Sequence, residues 1–236
     1  MAWQTPGSEL GSISSNAQIV ADESTRTYMS AVYRWMVAGL VITGVTAVAV
    51  ASNAQLAQMV MGLYLPLIVG ELVLVLALSF LAPKVSGPVA GLMFTGYAFM
   101  TGLTFSVLFL RYSLGSIGST FFITAGAFAG LSIYGTVTKK NLDGWKTFLF
   151  MGLVGVVLAG IVNLFLQSGG LSFVIACAGV LVFAGLTAYD TQKLREHHAN
   201  MGHKSRSSAA ITGALILYLD FINLFLMLLR LLGNRR

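Results

Sequence analysis

Charge is scarce in this chain. Asp, Glu, Lys and Arg make up only 9% of its 236 residues, against roughly 25% in a soluble domain. So little polar surface cannot cover a water-soluble globule. Cysteine is scarcer still. The lone Cys177 lies in an apolar stretch, so no disulfide framework supports the fold. The three histidines, His197, His198 and His203, share one polar segment with Glu196 (LREHHANMGHKSRSS). Adjacent histidines do not share a helix face, so the segment reads as a solvated loop rather than a metal site. Every membrane serine, Ser132 included, is thereby left without a histidine, which excludes a serine peptidase. No glycine run leads into the Lys-Ser/Thr of a phosphate-cradling loop. No basic stripe or basic–aromatic patch stands outside the loops, which excludes nucleic acid as a partner.

What the chain has is hydrocarbon-like sequence, with 56% hydrophobic residues. Seven apolar runs stand out: Ala31–Ala51, Gln58–Leu81, Val89–Leu110, Ser116–Val137, Thr147–Leu166, Leu171–Gln192 and Ser207–Leu232. Each is near the ~20 residues that a helix needs to cross hydrocarbon, and none alternates as a barrel strand does. The pattern predicts an all-α membrane protein with seven transmembrane helices. Residues 1–27 are polar and Ser/Gly-rich, without the basic start and apolar run of a secretory signal. They read as a flexible tail before a single domain over 28–236. Pro66 falls inside the second run, where it would kink a helix. Trp35, Tyr112, Tyr134 and Trp145 fall near run ends, as interfacial anchors do.

The loop charges orient the chain. With a cytoplasmic N-terminus, the inner side holds Arg26, Arg34, Lys84, Lys139, Lys140, Lys146, Lys193, Arg195, Lys204 and Arg206, and the outer loops hold only Arg111. That asymmetry favours the N-terminus inside. The tail residues Arg230, Arg235 and Arg236 run against it. A re-entrant turn near Asp220 would bring them inside; seven full crossings, the reading preferred here, leave them outside.

Two aspartates stand within the apolar runs, Asp190 in GLTAYDTQ and Asp220 in LYLDFINLF. A carboxylate in hydrocarbon costs about 2.5–3.5 kcal/mol on insertion scales, so such residues mark function by default. Asp220 shares a helical face with Gly213, Ile216, Asn223 and Met227, the polar face of the last run, which should point inward. It lies about 20 Å into that run, whereas Asp190 is near the end of its own. Pairing them therefore needs the sixth helix to sit deeper or the seventh to start below the membrane surface. Glu71 is a third acid, central in the second run, and Asn163 is available to donate to an acid.

If the aspartates meet, they form a dyad that shares a proton and titrates as a unit. Protonated, it is a hydrogen-bonded latch. Deprotonated, it repels itself and offers hard oxygen ligands suited to Ca²⁺. Two carboxylates fall short of the six to eight oxygens of a tight calcium site, so binding would be weak and transient, as conduction requires. Intramembrane aspartyl proteases also carry a Tyr-Asp on a sixth helix, but they place the second acid in a Gly-x-Gly-Asp turn. Here the sequence is Tyr218-Leu219-Asp220, without glycine. No enzymatic activity and no resident cofactor are expected.

GLTAYDTQKLR (Gly185–Arg195) and GALILYLDFINLFLMLLRLLG (Gly213–Gly233) resemble the two signature segments of the Bax-inhibitor family, the transmembrane Bax-inhibitor-motif proteins. TYMSAVYRWMVAGLVITG and the TGLTFS stretch fit the same family, and the likeness runs from Arg26 onward, nearest to the bacterial inner-membrane branch. The resemblance implies a last helix at the centre with the other six around it. It implies a pH-sensitive calcium leak in which Asp190 and Asp220 are sensor and gate, with Ca²⁺ as the permeant ion. Glu71 matches an acidic position of the second helix, and Asn223 and Glu71 would line the path. Channel-forming relatives place an arginine at the cytoplasmic end of that helix; here Lys84 stands nearby, without the bidentate fork of arginine. Other relatives restrain a membrane-bound ATP-dependent protease. The alternative role is therefore an interaction protein, with the N-terminal tail as the contact.

Overall fold

In hydrocarbon every backbone N–H and C=O must find its partner within the segment, so apolar runs of this length become helices. The computed structural model describes the backbone of residues 6–197 and 206–235, and side chains of residues 23–196 and 206–235. Among the described residues there are nine α-helices and no strand: α1 (Pro6–Ala51), α2 (Ala54–Gly62), α3 (Tyr64–Leu81), α4 (Gly87–Phe105), α5 (Leu108–Arg111), α6 (Leu114–Val137), α7 (Lys146–Leu166), α8 (Gly169–His197) and α9 (Arg206–Leu232). Seven segments are long and apolar enough to cross a membrane: Glu23–Ala51, Tyr64–Lys84, Gly87–Arg111, Leu114–Val137, Leu142–Leu166, Gly169–Glu196 and Arg206–Leu232.

The breaks have local causes. Asn53 ends α1 and caps α2, its Oδ1 accepting from the Gln55 and Leu56 amides at 3.0 and 3.1 Å. The second apolar run is split rather than kinked. The helix breaks at Leu63, and Pro66 falls in the first turn of α3, where a missing N–H costs no intrahelical bond. Gln167 closes α7 in the left-handed conformation (φ 50°). Asn163 serves that end: its Oδ1 accepts from the Ser168 amide at 3.0 Å, so it caps the helix instead of donating to an acid. At the N-terminus, α1 begins at Pro6, inside the segment expected as a polar tail.

Helix α9 is the most deeply packed of the seven. It lies against α1, α4, α6 and α8 and against the end of the second span at Ala82–Lys84, while α7 packs mainly on α8. Aromatic residues fill the centre. Tyr218 meets Phe94 and Tyr97 edge-on, at ring distances of 5.6 and 5.9 Å. Trp35, expected as an interfacial anchor, instead packs edge-on to Phe94, and Tyr112 is buried too. Tyr134 and Trp145 are exposed, as anchors would be. Helix α9 runs without interruption past Asp220. The re-entrant alternative is overturned, since every backbone bond of the turn it needs is already used within one helix.

Candidate functional site

Asp220 is buried at 5% exposure, and Asp190 is half-buried. Helices α8 and α9 pack closely, and Asp190 and Asp220 are neighbours across that contact. Among the described residues Asp220 Oδ2 meets no hydrogen-bond donor. The described part of α8 extends seven residues past Asp190, and that of α9 extends fourteen residues before Asp220.

The residues after Asp190 fix its helix end. Thr191 is fully buried and shares a 2.9 Å hydrogen bond with Ser132 of α6, which shares another of 2.9 Å with Tyr33 of α1. The Gln192 amide clamps the α6–α7 connection, accepting from the Leu142 amide and donating to the Lys140 carbonyl, each at 2.9 Å. Lys193 pairs with Asp143 at 2.7 Å and Glu196 at 3.0 Å. Asp190 therefore sits on a helix end tied to three other elements. Sequence reasoning missed Ser132 and Gln192. Both are ordinary polar residues at helical positions, and only their partners, 50 or more residues away, give them meaning.

Of the residues expected on an inward face of α9, Gly213, Asp220 and Met227 are buried, whereas Ile216 and Asn223 lie half-buried on the least covered stripe of the helix, with Thr212, Leu219 and Arg230. The Asn223 amide donates to the Leu219 carbonyl of its own helix at 2.8 Å. Lys84 is exposed and pairs with neither aspartate among the described residues. His198 and His203, and the side chain of His197, lie outside the described residues.

Glu71 is half-buried and accepts from the Thr104 hydroxyl at 3.2 Å. It does not join the aspartates. It lines a polar cavity of about 790 Å³ near the far end of α9, with Asn163, Ser172, Arg111, Arg230 and Arg235 on the walls. An aromatic cluster gathers about Phe221 and Phe225, which follow Asp220 along α9. Phe225 lies 6.2 Å from Phe105 and 6.4 Å from Phe121, and Phe221 lies 5.5 Å from both Phe121 and Phe128. Among the described residues no group of three or more metal-ligating side chains converges.

A family profile described as "Inhibitor of apoptosis-promoting Bax1" matches residues 25–236. Inner membrane protein YbhL of Escherichia coli is 45% identical over 217 residues, covering 89% of this chain and 93% of that protein. An uncharacterized protein of Deinococcus radiodurans is 46% identical over 215 residues, covering 91% and 93%. One from Borreliella burgdorferi is 39% identical over 214 residues, covering 89% and 92%. With the profile spanning all seven membrane segments and both aspartates, the chain belongs to the Bax-inhibitor family.

Proposed function

We propose that this protein is a pH-sensitive cation leak pathway, with Ca²⁺ as the permeant ion and the Asp190–Asp220 pair as sensor and gate. The observation that carries the reading is the buried Asp220 carboxyl with an oxygen that lacks a donor, beside a second carboxyl. A proton held between them supplies that donor and latches α8 to α9. When the proton leaves, two like charges face each other in a low-dielectric interior and the helices separate. The exposed oxygens then receive a cation in passing, since two carboxylates are too few to retain Ca²⁺.

In the latched state the phenylalanine cluster at Phe105, Phe121, Phe221 and Phe225, next to the dyad along α9, is a hydrophobic barrier to the cation. Such constrictions close a path by excluding water. With the N-terminus cytoplasmic, the dyad faces the inner half of the membrane and the cavity the outer face. The likeness to an inner membrane protein of Escherichia coli supports the same membrane here.

Full-length protein in vesicles loaded with a calcium dye tests the reading. Leak should rise with pH in the wild type, because deprotonation opens the latch. Asp190→Asn/Asp220→Asn should abolish the pH response while the protein still folds. Equal, pH-independent leak in both proteins would sink the gate. The aspartates would then be only a staple of the fold, as a partner-binding role requires.

A further inference from the structure

The polar cavity at the far end of α9 has a charge pattern that the leak does not use. Three arginines from distant positions, Arg111, Arg230 and Arg235, line it. The chain brings them together through its own end. The Ser113 amide donates to the Asn234 carbonyl at 3.3 Å, the Asn234 amide donates to Ser116 Oγ at 2.9 Å, and Tyr112 and Arg235 form an isolated antiparallel bridge. None of the three arginines has a carboxylate within salt-bridge distance among the described residues. The one acid on the cavity wall, Glu71, is held by Thr104.

These arginines lie at the end of α6 opposite Lys139 and Lys140. The charge asymmetry of the chain makes that the end where cations are not favoured. A mouth for a cation path would not be lined by positive charge either. Three exposed arginines on the wall of one cavity suit an oxyanion, which guanidinium groups bind through paired N–H donors. The neutral walls hold further polar groups, Asn163, Ser172 and Tyr64. The rest of the lining includes Ile161, Leu164 and Leu110, large apolar residues exposed on the membrane-facing surface. A charged rim beside an apolar flank matches a molecule with a charged head and a hydrocarbon tail.

We infer that this cavity binds a phosphate-bearing anion, and specifically the headgroup of an anionic phospholipid whose acyl chains lie along the apolar flank. The inference is independent of the aspartate gate.

Native mass spectrometry of the detergent-purified full chain tests it, with phosphatidylglycerol, phosphatidylcholine or inorganic phosphate added. Phosphatidylglycerol should be retained over phosphatidylcholine by about tenfold or more, given the attraction each Arg adds near anionic lipid. Arg111→Gln/Arg230→Gln/Arg235→Gln should erase the preference, and Lys139→Gln/Lys140→Gln/Lys146→Gln should keep it. Retention of inorganic phosphate as strong as that of the lipid would support the oxyanion chemistry and overturn the lipid as its source. Equal retention of both lipids by the wild type would overturn the site altogether. A photoactivatable phosphatidylglycerol on the unaltered protein covers the case in which the arginine variant does not fold. Labelling concentrated in residues 108–116 and 226–235 supports the site, and labelling spread evenly along the chain overturns it.

Discussion

A single oxygen states the problem at this site most sharply. Asp220 Oδ2 is buried without a donor, and leaving a buried acceptor unsatisfied costs about 1–3 kcal/mol. A proton on the dyad removes that cost, and an asparagine removes it permanently by bringing its own N–H donors. Thermal unfolding in detergent should therefore separate the two. The wild type should lose about 1–3 kcal/mol of stability as rising pH strips the proton, whereas Asp220→Asn should unfold at nearly the same temperature across that range. Parallel pH profiles for the two proteins would show that Asp220 holds no titrating proton. Other polar residues turned out to be local. Asn223 bonds its own helix and Asn163 caps one. An amide in an apolar run announces only that its hydrogen bonds must be met, and the helix backbone itself can meet them.

Between helices, close approach depends on small residues. Gly135 of α6 lies directly against the Ala188 backbone of α8, two residues before Asp190, and a Cβ there would overlap the Ala188 carbonyl. Backbone cannot rotate aside as a side chain can. Gly135→Ala should therefore push α6 from α8 and cost about 1–3 kcal/mol, the usual range for overpacking, read as a lowered unfolding temperature. It should also stretch the Ser132–Thr191 hydrogen bond and so raise hydrogen exchange at the α6–α7 connection that Gln192 clamps. An unchanged unfolding temperature would mean that the helices absorb the methyl group by sliding. By contrast, among the described residues nothing lies near the Cβ positions of Gly126 and Gly130. All three are glycines of one apolar helix in the sequence, and only Gly135 is a close contact.

For the molecule as a whole, an odd number of crossings sends the two ends of the membrane domain to opposite faces. The C-terminal residues meet the Tyr112–Ser116 turn, while Lys140 stands at the other end of α6. Single cysteines in a Cys177→Ala background should respond accordingly to a membrane-impermeant thiol reagent in intact cells. Arg111→Cys and Arg235→Cys should label together and Lys140→Cys should not. Labelling of Lys140→Cys together with Arg235→Cys would contradict seven crossings.

The apolar runs were legible because a bilayer is a uniform solvent. Length and lack of charge suffice to choose a helix, whatever it packs against. That alone determined the all-helical class and the seven spans. Most run boundaries shifted by only a few residues; the exceptions are the start of α1 at Pro6 rather than Ala31, the break at Leu63, which precedes the proline that signals it, and the break of the third run after Phe105. Which helix meets which, and at what height, required tertiary structure. The packing of α8 on α9, the Tyr33–Ser132–Thr191 chain and the cavity that Arg111 shares with Arg230 and Arg235 all join residues far apart along the chain. Helices in lipid gain little from merely being apolar toward one another, so side-chain fit and hydrogen bonds choose the partners. Those are properties of surfaces brought together in space, and no single stretch of sequence contains them.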